Sequence, residues 1–257
     1  MQKKFSLAAA GVCGIIIVAA ISYFAMGSDN LSFSKPKAAI IDMLYSKLPN
    51  ADFEKTAIKD LQDAGYQVDV YKTSNSTVEL YKKLPSMNYK YIVFRTHGLH
   101  HGDIEPSASI FSGEVYTLNK YFNEQMSGEV GKAVTLTHAE IIARGGWAGL
   151  NNQTYFTIGS KFVDNSMVGK FPDSVILIAG CDALSNDDLA KSLVAKGASD
   201  VIGWNNLVAA DDNDKMILKV LTEITENKQT PENATKIVMA NFTSKSSFGG
   251  KLVHYSE

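Results

Sequence analysis

The stretch Ser174-Val-Ile-Leu-Ile-Ala179 constrains this chain more than any other. Five apolar residues follow one serine without a break, so the strand they form has no face that tolerates water. Only a sheet covered on both sides accommodates such a strand. Sheets of that kind are built from parallel strands joined by helical crossovers, and the rest of the sequence supplies both. Residues 37–42, 67–71, 89–95 and 200–204 read as further strands. A helix capped by Asp52 carries Phe53, Ala57, Ile58, Leu61 and Ala64 on one face and ends at Gly65. A short helix over 77–84 is stopped by Pro85. Another starts between Ser185 and Asp188, carries Leu189, Leu193 and Val194, and stops at Gly197; two more span about 212–226 and 231–242. The expected fold is therefore α/β, with a mostly parallel central sheet between helical layers. From Ser107 to Thr154 the pattern breaks into hairpin-like pieces and the glycine-rich stretch from Arg144 to Gly149, which reads as an insertion.

The N-terminus is written differently. Lys3 and Lys4 precede an uncharged run of 22 residues, 5–26, and then Gly-Ser-Asp-Asn. At 1.5 Å per residue the run covers a hydrocarbon layer of roughly 30 Å, whereas a cleavable signal has an apolar stretch of about 7 to 15 residues. Residues 5–26 are thus expected to form a transmembrane anchor, with 1–4 cytoplasmic, 27–36 a linker, and 37–257 one domain outside the cytoplasm, as the lysine bias directs. The alternative is a long signal peptide cut near Ala25 and a secreted domain. Both readings export the domain, and four Asn-x-Ser/Thr sequons (Asn75, Asn152, Asn233, Asn241) are compatible with that. Cys13 lies in the apolar run, which leaves Cys181 as the one cysteine outside it. A formal net charge of -2 offers no basic field for phosphates, so a nucleic-acid partner is not expected.

In open parallel sheets, ligand sites lie beyond the carboxyl ends of the strands. Two strands here end in reactive residues: 89–95 runs into Thr96-His97-Gly98, and 174–179 runs into Gly180-Cys181-Asp182. A thiol and an imidazole at one edge of one sheet suit nucleophilic catalysis, in which the imidazole moves a proton to the leaving amine while sulfur forms an acyl-enzyme. Gly98 and Gly180 let a substrate backbone approach, and the N–H groups of Gly98 and Cys181 are candidates for an oxyanion hole. The plainer readings stand beside these. A solitary cysteine at a strand end is commonly a small hydrophobe, Asp182 can serve as the acid at a helix start, and Trp204 can be core packing.

These segments resemble a known group. Arg95-Thr-His-Gly98, then Ile176-Leu-Ile-Ala-Gly-Cys-Asp182, then Leu189 to Gly-Trp204 are similar to the caspase, gingipain, separase and CHAT-type cysteine peptidases, over about residues 40–204. The resemblance implies a caspase-like three-layer sandwich, a His97–Cys181 dyad, an acidic residue after the nucleophile at Asp182, and a substrate groove bordered by Trp204 and Asn205. It implies a peptide or protein substrate and no cofactor or metal. The long stretch between His97 and Cys181 leaves the pocket for the residue before the cut unassigned. Asp103, Glu105, Asp211 and Asp212 are candidates for a pocket selecting Lys or Arg, and equally for solvated charges or helix caps. Two rivals remain: a catalytically silent domain of the same kind that binds peptides, and a metal hydrolase using His97, His100, His101 and His138.

Overall fold

Alternation along the strands organises the molecule. The chain lays down Lys37–Asp42 (β1), Gln67–Lys72 (β2) and Tyr89–Arg95 (β3). It then leaves for a second sheet made of Gly98–His100 (β4), Ala108–Val115 (β5), Val130–Val134 (β6) and Thr154–Gly159 (β7). It returns with Ser174–Ala179 (β8), Ala198–Trp204 (β9) and Leu252–Ser256 (β10). The six-stranded sheet has the order β10-β9-β8-β3-β1-β2 and is parallel except for β10; the four-stranded sheet, β4-β5-β7-β6, is antiparallel. The computed structural model describes residues 35–100, 108–134, 153–243 and 248–257. The expected anchor, 5–26, and the linker as far as residue 34 lie outside them, and among the described residues no helix is long and apolar enough to cross a membrane. Residues from Pro36 to Glu257 form one unit.

The helices are Ala51–Asp63 (α1), Val78–Lys83 (α2), Phe122–Met126 (α3), Ser160–Asn165 (α4), Asp188–Ala195 (α5), Ala210–Thr225 (α6) and Pro231–Ala240 (α7). Successive side chains of a strand point to opposite faces, and both faces of the large sheet are covered. Ala39, Ile41, Ile92, Phe94, Ile176 and Ile178 pack against α2, α4, α5 and one face of the small sheet. Ala38, Ile40, Val93, Val175, Leu177 and Ala179 pack against α1, α6 and α7. The other face of the small sheet, with Phe111, Ala133 and Tyr155, is covered by Met43 and Leu44 from the loop after β1. The α/β architecture with a mostly parallel sheet between helices is as expected.

The differences have local causes. The cap of α1 is Asn50, not Asp52: its Oδ1 accepts from the Phe53 N–H at 3.0 Å while its Nδ2 donates to Asp214 of α6 at 2.8 Å. α6 begins at Ala210, two residues before the expected start, and α7 ends at Ala240. β10 was not foreseen; it pairs antiparallel with β9 at the sheet edge, where Val253, His254 and Tyr255 are only half-buried. The described part of the expected insertion supplies β5 and β6 of the small sheet and the short helix α3, and residues 144–149 fall outside the described part.

Candidate active site

Strand register determines which residues meet at the carboxyl edge. β3 and β8 are neighbours with Arg95 opposite Ala179, and the Thr96 N–H continues the ladder by donating to the Ala179 carbonyl at 2.9 Å. Two residues further along each chain stand His97 and Cys181, at the same level of adjacent strands. The two turns interlock at their glycines. A Cβ on Gly98 would meet the Cys181 carbonyl oxygen and lie 2.9 Å from the Ala183 nitrogen; one on Gly180 would lie 3.1 Å from the Thr96 carbonyl oxygen and 3.3 Å from the Gly98 nitrogen. Only residues without a Cβ let these backbones approach so closely.

Cys181 continues the series Val175, Leu177, Ala179 and packs on the same core face, half-buried. Its Sγ donates to the Val208 carbonyl at 3.3 Å, in the loop leading to α6. Asp182 then takes the left-handed conformation at φ 55°, which aspartate tolerates better than most residues. That turn throws the chain off the strand, where the Asp182 N–H donates to Asn206 O at 3.3 Å and the Leu184 N–H to Trp204 O at 2.9 Å. His97, also half-buried, lies edge-on to Phe111 of β5, with centroids 5.5 Å apart at 71°. The Phe111 N–H donates to His97 O at 3.0 Å, and the Thr96 hydroxyl donates to Phe111 O at 2.8 Å. A bond between those residues makes Gly98 and Ile110 a non-hydrogen-bonded pair of the β4–β5 ladder, so the Gly98 N–H is directed away from β5. The nitrogen that carries it stands beside Gly180. Above the cysteine turn, His100 Nδ1 and Ser185 Oγ are 3.1 Å apart and tie β4 to the loop after β8.

Burial dominates the electrostatics. It lowers the His97 pKa to about 4, and the nearby Arg95 guanidinium adds to the effect. It raises the Cys181 thiol to about 11, partly offset by the bond to Val208 O and reinforced by the Asp182 carboxylate. Over the intervening pH range the resting pair is a thiol and a neutral imidazole. A neutral imidazole can act as a proton acceptor, and a protonated thiol as a donor.

The remaining expected residues divide. Asp182 is half-buried next to the sulfur. Trp204 is 0% exposed and packs edge-on against Phe242 at 5.7 Å, so its indole belongs to the core and offers no surface to a ligand. Asn205 holds residue 251, its N–H donating to Lys251 O at 3.1 Å and its Oδ1 accepting from the Lys251 N–H at 2.9 Å. Asp211 and Asp212 lie in the first turn of α6. His101, Asp103, Glu105 and His138 lie outside the described residues, and among those described no cluster of His, Cys, Asp or Glu could hold a metal ion.

Sequence reasoning missed a buried ionic cluster at the same edge. Arg95 Nε donates to both carboxylate oxygens of Asp214 at 3.0 and 2.9 Å, Nη1 to Asp42 at 3.1 and 3.3 Å, and Nη2 to Leu48 O at 2.8 Å. Asp42 and Arg95 are register partners, the last residues of β1 and β3. Opposite charges at the carboxyl ends of two strands, each following an apolar run, were the available signal. Asp214, one of three aspartates within four residues, had none. No protein-family model matches the chain, and no curated protein matches it.

Proposed function

We propose that this protein is a cysteine endopeptidase of the caspase-like type, with Cys181 as nucleophile, His97 as acid/base and residues 5–26 holding the domain to a membrane from outside the cytoplasm. The observation that carries the reading is the register: with Arg95 opposite Ala179, the two turns bearing imidazole and thiol are adjacent and interlocked. The strand order around them, with a parallel sheet between helices, supports the caspase-like assignment.

In this mechanism a peptide carbonyl docks against the outer edge of the two turns, beside the sulfur. His97 takes the thiol proton as sulfur attacks the carbonyl carbon, and the N–H groups of Gly98 and Cys181 hold the oxyanion. The same proton passes to the amine as the C–N bond breaks, leaving a thioester that water hydrolyses. Because both groups rest uncharged, ionisation is coupled to substrate binding instead of preceding it.

One observation favours a second reading. A half-buried thiol that donates to a backbone carbonyl and keeps its proton also suits a silent, peptide-binding domain. An electrophilic peptide library applied to the full chain separates the two: labelling at Cys181 that disappears in Cys181→Ala and drops in His97→Ala is expected. Binding of the same peptides without any labelling would assign the silent module.

A further inference from the structure

We infer that Arg95 is a positioning residue: clamped between Asp42 and Asp214, it fixes the orientation of the strand end that carries His97 and places a positive charge two residues before it. The inference rests on the reading of His97 as the acid/base. The guanidinium is 3% exposed and its donors are engaged on two sides, by the carboxylate closing β1 and the carboxylate on α6. Its backbone is held as firmly, since the Met43 N–H donates to Arg95 O at 3.0 Å and the next residue pairs with Ala179. Asn50 adds a second tie by donating to Asp214, and the Phe53 ring lies 5.5 Å from the guanidinium carbon. Four segments therefore converge on one side chain two residues before the imidazole: β1, the loop after it, the start of α1, and α6.

Stability alone does not account for this arrangement. A buried Arg–carboxylate cluster is commonly no more stable than an apolar packing of the same volume. Burial raises the pKa of both carboxyl groups, against the attraction of Arg95. What the guanidinium adds is a positive charge held in a fixed place near His97, which supports burial in keeping the ring neutral. Among the described residues, the charged groups at this edge include Arg95 on β3, Asp42 on β1, Asp211 and Asp214 on α6, and Asp182 after β8; of these, Arg95 bears on the His97 proton. A second function is geometric, because a planar fork held by two carboxylates permits one orientation and an ammonium does not.

The test uses the full chain with its histidines labelled at Cε1 and His97 assigned by substitution. Arg95→Met is expected to raise the titration of His97 by about half a pH unit or more, the effect of removing a nearby like charge. Arg95→Lys keeps the charge and is expected to leave that titration in place, while kcat falls about tenfold to a hundredfold at nearly constant KM through misorientation. Should Arg95→Met fail to fold, Arg95→Gln, which removes the charge but keeps a donor for the carboxylates, serves instead, with the same upward shift expected. A folded variant without Arg95 in which His97 titrates as in the parent protein overturns the inference. If the shift appears in a chain that neither cleaves nor is labelled, the positioning role stands and the peptidase reading falls.

Discussion

His97 and Cys181 each sit far from their ordinary ionisation, and this has consequences for stability. A histidine in an unfolded chain titrates near 6.5, while folded His97 titrates near 4. The unfolded state therefore takes up the proton first as the pH falls. The stability that neutral His97 contributes is complete above about pH 6.5 and is lost progressively toward pH 4. Between pH 7 and pH 4.5 the parent protein should lose about 2 kcal/mol more than His97→Gln. Urea titrations at the two pH values measure this, and parallel losses in both proteins would refute it. Cys181 behaves oppositely, since its raised pKa gives stability that fades as the pH climbs from about 9 toward 11. Both residues were legible because each follows an apolar strand and precedes or follows a glycine. Their charge states were not, because burial is a property of the surrounding layers. The same blindness applied to Trp204, whose place in a motif says nothing about which way its ring points.

At the level of elements, the carboxyl edge depends on two turns in backbone contact. Gly98→Ala would put a methyl group onto the Cys181 carbonyl, with Ala183 directly behind it. Neither neighbour is a flexible side chain, so the turns must separate. A stability loss of about 1–3 kcal/mol is expected, as for other overpacked sites, together with a fall of about tenfold or more in kcat/KM from the displaced base. Unchanged cleavage by a folded Gly98→Ala protein would show that the turns do not need this approach. Strands β1, β3 and β8 were readable to the residue because β1 lies between Pro36 and its closing Asp42, β8 between Asp173 and Gly180, and β3 follows Asn88 and closes on Arg95. The cap of α1 was misplaced by two positions because the sequence offers Asn50 and Asp52 together, and a tertiary partner, Asp214, decides between them. β10 was invisible for a related reason: this short edge strand has one buried side chain, Leu252, and carries no continuous apolar run.

For the molecule as a whole, the two cores on either side of the large sheet are the testable feature. Leu177 faces α6 and α7, and Ile178, its neighbour, faces α5 and the small sheet; both are 0% exposed. Leu177→Ala and Ile178→Ala are each expected to cost about 2–5 kcal/mol. A loss below about 0.5 kcal/mol for either, the size seen at surface positions, would mean that its side of the sheet is not closed. The two-sided covering was the part of the architecture most evident from sequence, since Ser174–Ala179 demands it. The small sheet was not, because its strands are separated by long connections and pair out of sequence order.

The crossing from one sheet to the other has a further implication. Between Arg95 and Gly98 the chain passes from the six-stranded sheet into the four-stranded one, and His97 stands on that passage, leaning on Phe111. The sulfur is carried by a strand flanked on both sides by parallel neighbours, and so is fixed to the rigid frame. The imidazole rides on a joint. Any shift of the smaller sheet would therefore reach the backbone of His97 before that of Cys181, so the seating of β5 governs how the two turns meet.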